Sequence, residues 1–122
     1  MNKEKLFLVS ERLKSFKYAF DGIAAFLKEE HNARIHLAAT ILVIVLSGIL
    51  PVSLIEMMVL TIVIGLVWIT EIINTAIEKS IDFISIEENK KIKFIKDVSA
   101  AAVLLASVVA VIVGCLVFIP KF

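Results

Sequence analysis

Residues 57–82 read MMVLTIVIGLVWITEIINTAIEKSID. The first fourteen positions carry no charge, and then Glu71, Glu78 and Asp82 follow within twelve. An uncharged run of this kind is a membrane signature, and carboxylates are expensive in lipid, so the second half must face protein or water. The setting agrees: the chain has 122 residues, 60% of them hydrophobic, with a mean hydropathy of +0.98, well above a soluble domain of this size. Positions 35–55 and 98–120 also lack Asp, Glu, Lys and Arg, each stretch long enough to cross a bilayer. The expected architecture is all-α and membrane-integral, a single membrane domain over 1–122 with spans at about 34–51, 54–84 and 97–119 and a cytoplasmic loop at 85–95.

Charge distribution orients these spans. Of 13 basic residues, seven precede Ile35, five lie between Lys79 and Lys96, and one is Lys121. The positive-inside rule then puts the N-terminus and the second loop in the cytoplasm. A net charge of +1 gives nucleic-acid binding no electrostatic support. Cys115 is the single cysteine, which excludes an intrachain disulfide and suits an apolar packing residue.

The N-terminal segment lacks an apolar core followed by a small-residue cleavage site, so it is expected to be mature protein. Leu6, Val9, Leu13, Phe16, Phe20, Ile23 and Leu27 recur at spacings of three and four, with Glu11, Lys14, Lys17, Asp21 and Lys28 between them. This pattern predicts an amphipathic surface helix over about 5–28, its apolar face in the acyl boundary and its lysines among headgroups. EEHNAR (29–34) is a polar junction, and SGILPVS (47–53) a short turn.

On a helix, Glu71, Asn74, Thr75, Glu78 and Asp82 project within one arc of about 100°. Asp82 suits neutralisation by a nearby lysine, whereas Glu71 lies about two turns deeper than Glu78 and costs several kcal/mol unless partnered. Two carboxylates with an amide between them could supply oxygen ligands to a divalent cation such as Mg2+. Lys96 and Asp97 reach the same level from the third span, and Glu30 from the first. One lysine, several carboxylates and an amide suit phosphoryl transfer, in which charge on the phosphates is neutralised and a carboxylate accepts a hydroxyl proton. The four glycines form neither GxxxxGK[ST] nor GxGxxG, which rules out a soluble-kinase nucleotide fold. Spacing alone leaves three readings open: a kinase, a small carboxylate-dependent transporter, and a non-catalytic membrane scaffold.

The motif E-x-x-N-T-A-I-E, with Asp four residues later, and then K-D-x-x-A-A-A-V resembles the prokaryotic diacylglycerol kinase and undecaprenol kinase family. The likeness extends from about Lys14 to Phe118 and includes GIAAFLKEEHNARIH (22–36). It implies a homotrimeric multi-pass enzyme of the bacterial cytoplasmic membrane. Such an enzyme moves the γ-phosphate of Mg-ATP to a lipid alcohol, undecaprenol or diacylglycerol, at the cytoplasmic face. Carried over by position, it implies Glu71 as general base, with Glu30 and Glu78 binding metal and nucleotide. Asn74, Lys96 and Asp97 become further nucleotide contacts, and Asp82, Arg12, Tyr18 and Arg34 additional candidates. The diacylglycerol branch carries a glutamate after the first-span arginine, where this chain reads Arg34-Ile35-His36, and NARIH is closer to the undecaprenol branch. His31 and His36, five residues apart, do not share a helical face, and an interfacial polar role is expected for them.

Overall fold

A computed structural model of the chain describes residues 2–85, 87 and 89–122. The described residues are helical, without strands: α1 (Lys3–Glu29), α2 (His31–Ile49), α3 (Leu54–Ile84) and α4 (Lys90–Phe118), closed by a 3-10 turn at Ile119–Lys121. They form two compact units, divided between Arg34 and Ile35.

In the first unit, Asn2 caps α1 by accepting the Glu4 N–H at 3.2 Å, which satisfies one of the donors a helix start leaves orphaned. At the other end the backbone turns extended at Glu30, whose N–H returns to the Phe26 carbonyl. The Arg34 guanidinium donates to the carbonyls of Leu27 and Lys28 at 3.3 and 2.6 Å. A cation on the last carbonyls of a helix offsets the negative end of its dipole. The expected polar junction is thus a break of one residue, after which helix resumes at His31. Along α1 the side chains of Leu6, Val9, Leu13, Phe16 and Phe20 are exposed, interleaved with exposed lysines.

In the second unit, α3 and α4 run antiparallel. Asp82 near the end of α3 meets Lys96 at the start of α4, and Glu56 at the start of α3 meets Lys121 beyond the end of α4. Ser53 and Glu56 form a capping box at the α3 N-terminus. Beside it lies the core of Leu60, Val117 and Phe118, against which Val43, Leu46, Leu50 and Val113 pack. Asn89 caps α4 through the Ile92 N–H at 3.0 Å, so helix begins at Lys90 and takes in half of the segment expected as loop. Lys93 and Asp97 then pair across one turn of α4. Ile86 and Glu88 of that expected loop lie outside the described residues.

Three helical segments, His31–Ile49, Leu54–Ile84 and Lys90–Lys121, are long and apolar enough to cross a membrane. Most large apolar side chains in them, such as Leu42, Ile62, Leu105 and Val111, remain exposed. An apolar surface of that extent needs lipid or other protein against it.

Candidate active site

The buried positions of α3 are Leu60, Val63, Val67, Glu71 and Asn74, spaced by three and four. Such spacing is one face of a helix, and Glu78 and Asp82 continue it by fours. The face that packs inward is therefore apolar for its first half and polar for its second. Exposure rises along it: Glu71 is 3% exposed and Asn74 9%, while Glu78 is half-buried and Asp82 open. Ile72 and Ile73 point outward on the other faces. With a rise of 1.5 Å per residue, Glu71, Glu78 and Asp82 stand about 22, 33 and 39 Å along α3 from Glu56.

Each buried polar member has a partner from another helix. His36 Nε2 of α2 lies 3.4 Å from Glu71 Oε2. The His36 ring tilts at 59° against Trp68, centroids 6.5 Å apart. Trp68 Nε1 donates to Thr40 Oγ1 at 2.9 Å, and the Thr40 hydroxyl donates to the His36 carbonyl at 2.7 Å. Lower on the column, the Ser99 hydroxyl of α4 donates to Asn74 Oδ1 at 2.7 Å. The donor end of the Asn74 amide is then the one that can meet a phosphate oxygen. Lys96 Nζ reaches Asp82 Oδ1 at 2.6 Å, so that carboxylate is matched by a lysine of α4 as well as being close in sequence to Lys79.

A cavity of about 420 Å3 opens between α2, α3 and α4. Its walls are apolar, among them Val43, Leu60, Val63, Val111 and Cys115, and its polar members are His36, Thr40, Trp68 and Ser107. His36 borders this space and also touches Glu71. A carboxylate kept from solvent beside an apolar cavity is a pairing that suits proton abstraction from an alcohol whose body is hydrocarbon.

The expected residues divide in three. Glu71, Asn74, Glu78, Asp82 and Lys96 are brought to one α3 face and the helix packed on it. Asp97, next to Lys96, points elsewhere and pairs with Lys93. Glu30, Arg12, Tyr18 and Arg34 belong to the first unit, where Arg12 and Tyr18 are exposed and Arg34 is engaged with the α1 carbonyls. Sequence reasoning passed over Ser99 and Thr40, and it set His36 apart from the site because it asked only whether the two histidines share a face. Among the described residues no three His, Cys, Asp or Glu side chains converge as a metal site. Glu78 and Asn74, one turn apart on α3, are oxygen donors of the kind Mg2+ takes.

The profile of the prokaryotic diacylglycerol kinase family matches residues 17–118. The chain is similar to an undecaprenol kinase of Bacillus subtilis (strain 168), 36% identical over 108 residues and covering 88% of each chain. It is similar to a diacylglycerol kinase of Synechocystis sp., 37% identical over 109 residues, 88% of this chain and 62% of the other. A diacylglycerol kinase of Escherichia coli (strain K12) is 34% identical over 110 residues, 90% of each.

Proposed function

The chain belongs to the prokaryotic diacylglycerol kinase family and is a lipid kinase, and from that premise we propose that it phosphorylates undecaprenol in preference to diacylglycerol. Of the three readings that spacing left open, family membership selects the kinase. The donor is ATP, and the acceptor hydroxyl belongs to a lipid that stays in the bilayer.

The observation that carries the site assignment is Glu71, buried at 3% exposure and paired with a histidine that borders an apolar cavity. Measured from Glu56, Glu71 lies about 22 Å along α3, within a hydrocarbon layer of about 30 Å, whereas Glu78 at about 33 Å falls at its edge and Asp82 beyond it. This depth order supports Glu71 as the base that takes the lipid hydroxyl proton, and Glu78 as the carboxylate that meets the water-borne nucleotide. Glu78 would hold Mg2+, and Asn74 and Lys96 would contact the nucleotide, while Glu30 as a metal ligand and Asp97 as a nucleotide contact rest on the resemblance alone. Asp82, Arg12, Tyr18 and Arg34 remain secondary candidates. When bound, Mg2+ neutralises charge on the phosphates.

The enzyme is multi-pass in the bacterial cytoplasmic membrane, one membrane domain with its site at the cytoplasmic face, a reading supported by the basic residues of 1–34 and 79–96. The exposed apolar row on α1, interleaved with lysines, supports a surface helix lying at the headgroup level. A homotrimer is supported by the resemblance and by the large apolar surface that three helices leave uncovered.

Purified protein in detergent, given radiolabelled ATP with undecaprenol or diacylglycerol, tests the reading. Labelled undecaprenyl phosphate should form with the higher kcat/KM. Equal or inverted specificity constants would overturn the acceptor assignment, and label transfer undiminished in Glu71→Gln would overturn the site.

A further inference from the structure

A carboxylate as buried as Glu71 persists only if another group holds it, since an unpartnered one within a membrane is strongly unfavourable. The ionisable partner the structure gives it is His36, with Nε2 3.4 Å from Oε2. That separation is ion-pair distance, and closing it by a few tenths of an ångström makes an ordinary hydrogen bond. We propose that His36 is a positioning residue for phosphoryl transfer, acting through Glu71, and that Trp68 and Thr40 hold its ring in place. The proposal rests on Glu71 being the base.

Four side chains carry it, two from each helix. His36 and Thr40 are one turn apart on α2, and Trp68 and Glu71 are one turn apart on α3. The Thr40 hydroxyl is used twice, as donor to the His36 carbonyl at 2.7 Å and as acceptor from Trp68 Nε1 at 2.9 Å. Trp68, thus fixed, lies tilted against the imidazole. The loop closes where the imidazole reaches Glu71. A polar network whose members are mutually engaged is rigid, and the ring cannot swing from Glu71 without disturbing its packing on Trp68.

Location gives the network its use. His36, Thr40 and Trp68 line the apolar cavity, and His36 is also the residue that touches the buried Glu71. An alcohol whose hydrocarbon body occupies that cavity therefore lies against the imidazole, whose Nε2 is 3.4 Å from the carboxylate. In the transfer, the acceptor oxygen bonds to the γ-phosphorus as its proton passes to Glu71, and the bond from that phosphorus to the β–γ bridging oxygen breaks to release ADP. A base displaced by about 1 Å forfeits on the order of 10²-fold in such a step.

The test is a double-mutant cycle with a spectroscopic arm. His36→Leu should lower kcat by about 10- to 100-fold with the KM for ATP changed less than about twofold, since only alignment is lost. His36→Gln, which keeps an N–H near the Nε2 position, should recover most of that loss. In a Glu71→Gln background, His36→Leu should have no further effect. In 15N-histidine-labelled protein, the Nε2 resonance of His36 should move on Glu71→Gln while those of His31 stay in place, a result that requires no active variant. An unmoved His36 resonance, or the same fold loss from His36→Leu in both backgrounds, would overturn the proposal while leaving Glu71 as base. Full kcat in Glu71→Gln alone would remove the base assignment, and this inference with it.

Discussion

Replacing Glu71 with Gln keeps the shape of the side chain and removes its charge and basicity. The structure makes the expected effects separable. General-base catalysis contributes about 10²- to 10⁴-fold, or about 2.7–5.4 kcal/mol of transition-state stabilisation at 1.36 kcal/mol per decade. Turnover should fall by that factor. Nucleotide affinity should survive, because Glu78 lies seven residues and about 10 Å further along the helix. Stability should not fall, since a neutral amide at a 3% exposed site avoids desolvating a carboxylate. A variant that loses activity while holding or gaining thermal stability marks a residue kept for function. Glu78→Gln should behave differently and weaken Mg-nucleotide binding as well as turnover. The assay is initial-rate lipid phosphorylation beside titration of a non-hydrolysable ATP analogue, on variants that elute as the wild-type oligomer. If Glu71→Gln loses nucleotide affinity and Glu78→Gln keeps it, the roles are exchanged and the depth argument is refuted. If both remain active, the column is structural.

Lys96→Ala should raise the KM for ATP by at least about tenfold, as expected for loss of a charged phosphate contact, whereas Asp82→Ala should change kcat/KM by less than about threefold, because the pair it breaks is partly exposed; steady-state kinetics on both variants would expose a reversed order. In a Cys115→Ser background, cysteine at Ser53 should react with a membrane-impermeant thiol reagent from outside intact cells and cysteine at Asn89 should not, and the opposite labelling would place the site on the wrong side. Analytical ultracentrifugation in density-matched detergent should return a trimer, and an active monomer would refute the assembly.

Periodicity along a single helix is local, and what depends on it was readable in advance. The three apolar segments follow from charge-free runs, and the common face of Glu71, Asn74, Glu78 and Asp82 follows from spacings of three and four. The Asn89 cap, which starts α4 at Lys90 rather than near residue 97, was also legible: an Asn ahead of a lysine-rich helical turn is a start signal that the expectation of a solvated loop overrode.

Contacts between helices depend on their relative rotation and axial register, which no spacing within one segment contains. The sequence places His36 five residues from His31 and 35 from Glu71, and only the packing of α2 on α3 turns it toward the carboxylate. Ser99 reads as one small residue among alanines until α4 docks and its hydroxyl meets Asn74. Of two neighbouring basic residues of α3 and α4, Lys79 and Lys96, the fold brings Lys96 to Asp82, while Asp97, one residue on and rotated by about 100°, is carried out of the column. The sequence alone therefore determined which residues share a face and how far apart they stand along it, because both are set by the geometry of one helix. Tertiary structure decided which partners meet them, because a pairing across two helices exists only once both have been rotated and aligned.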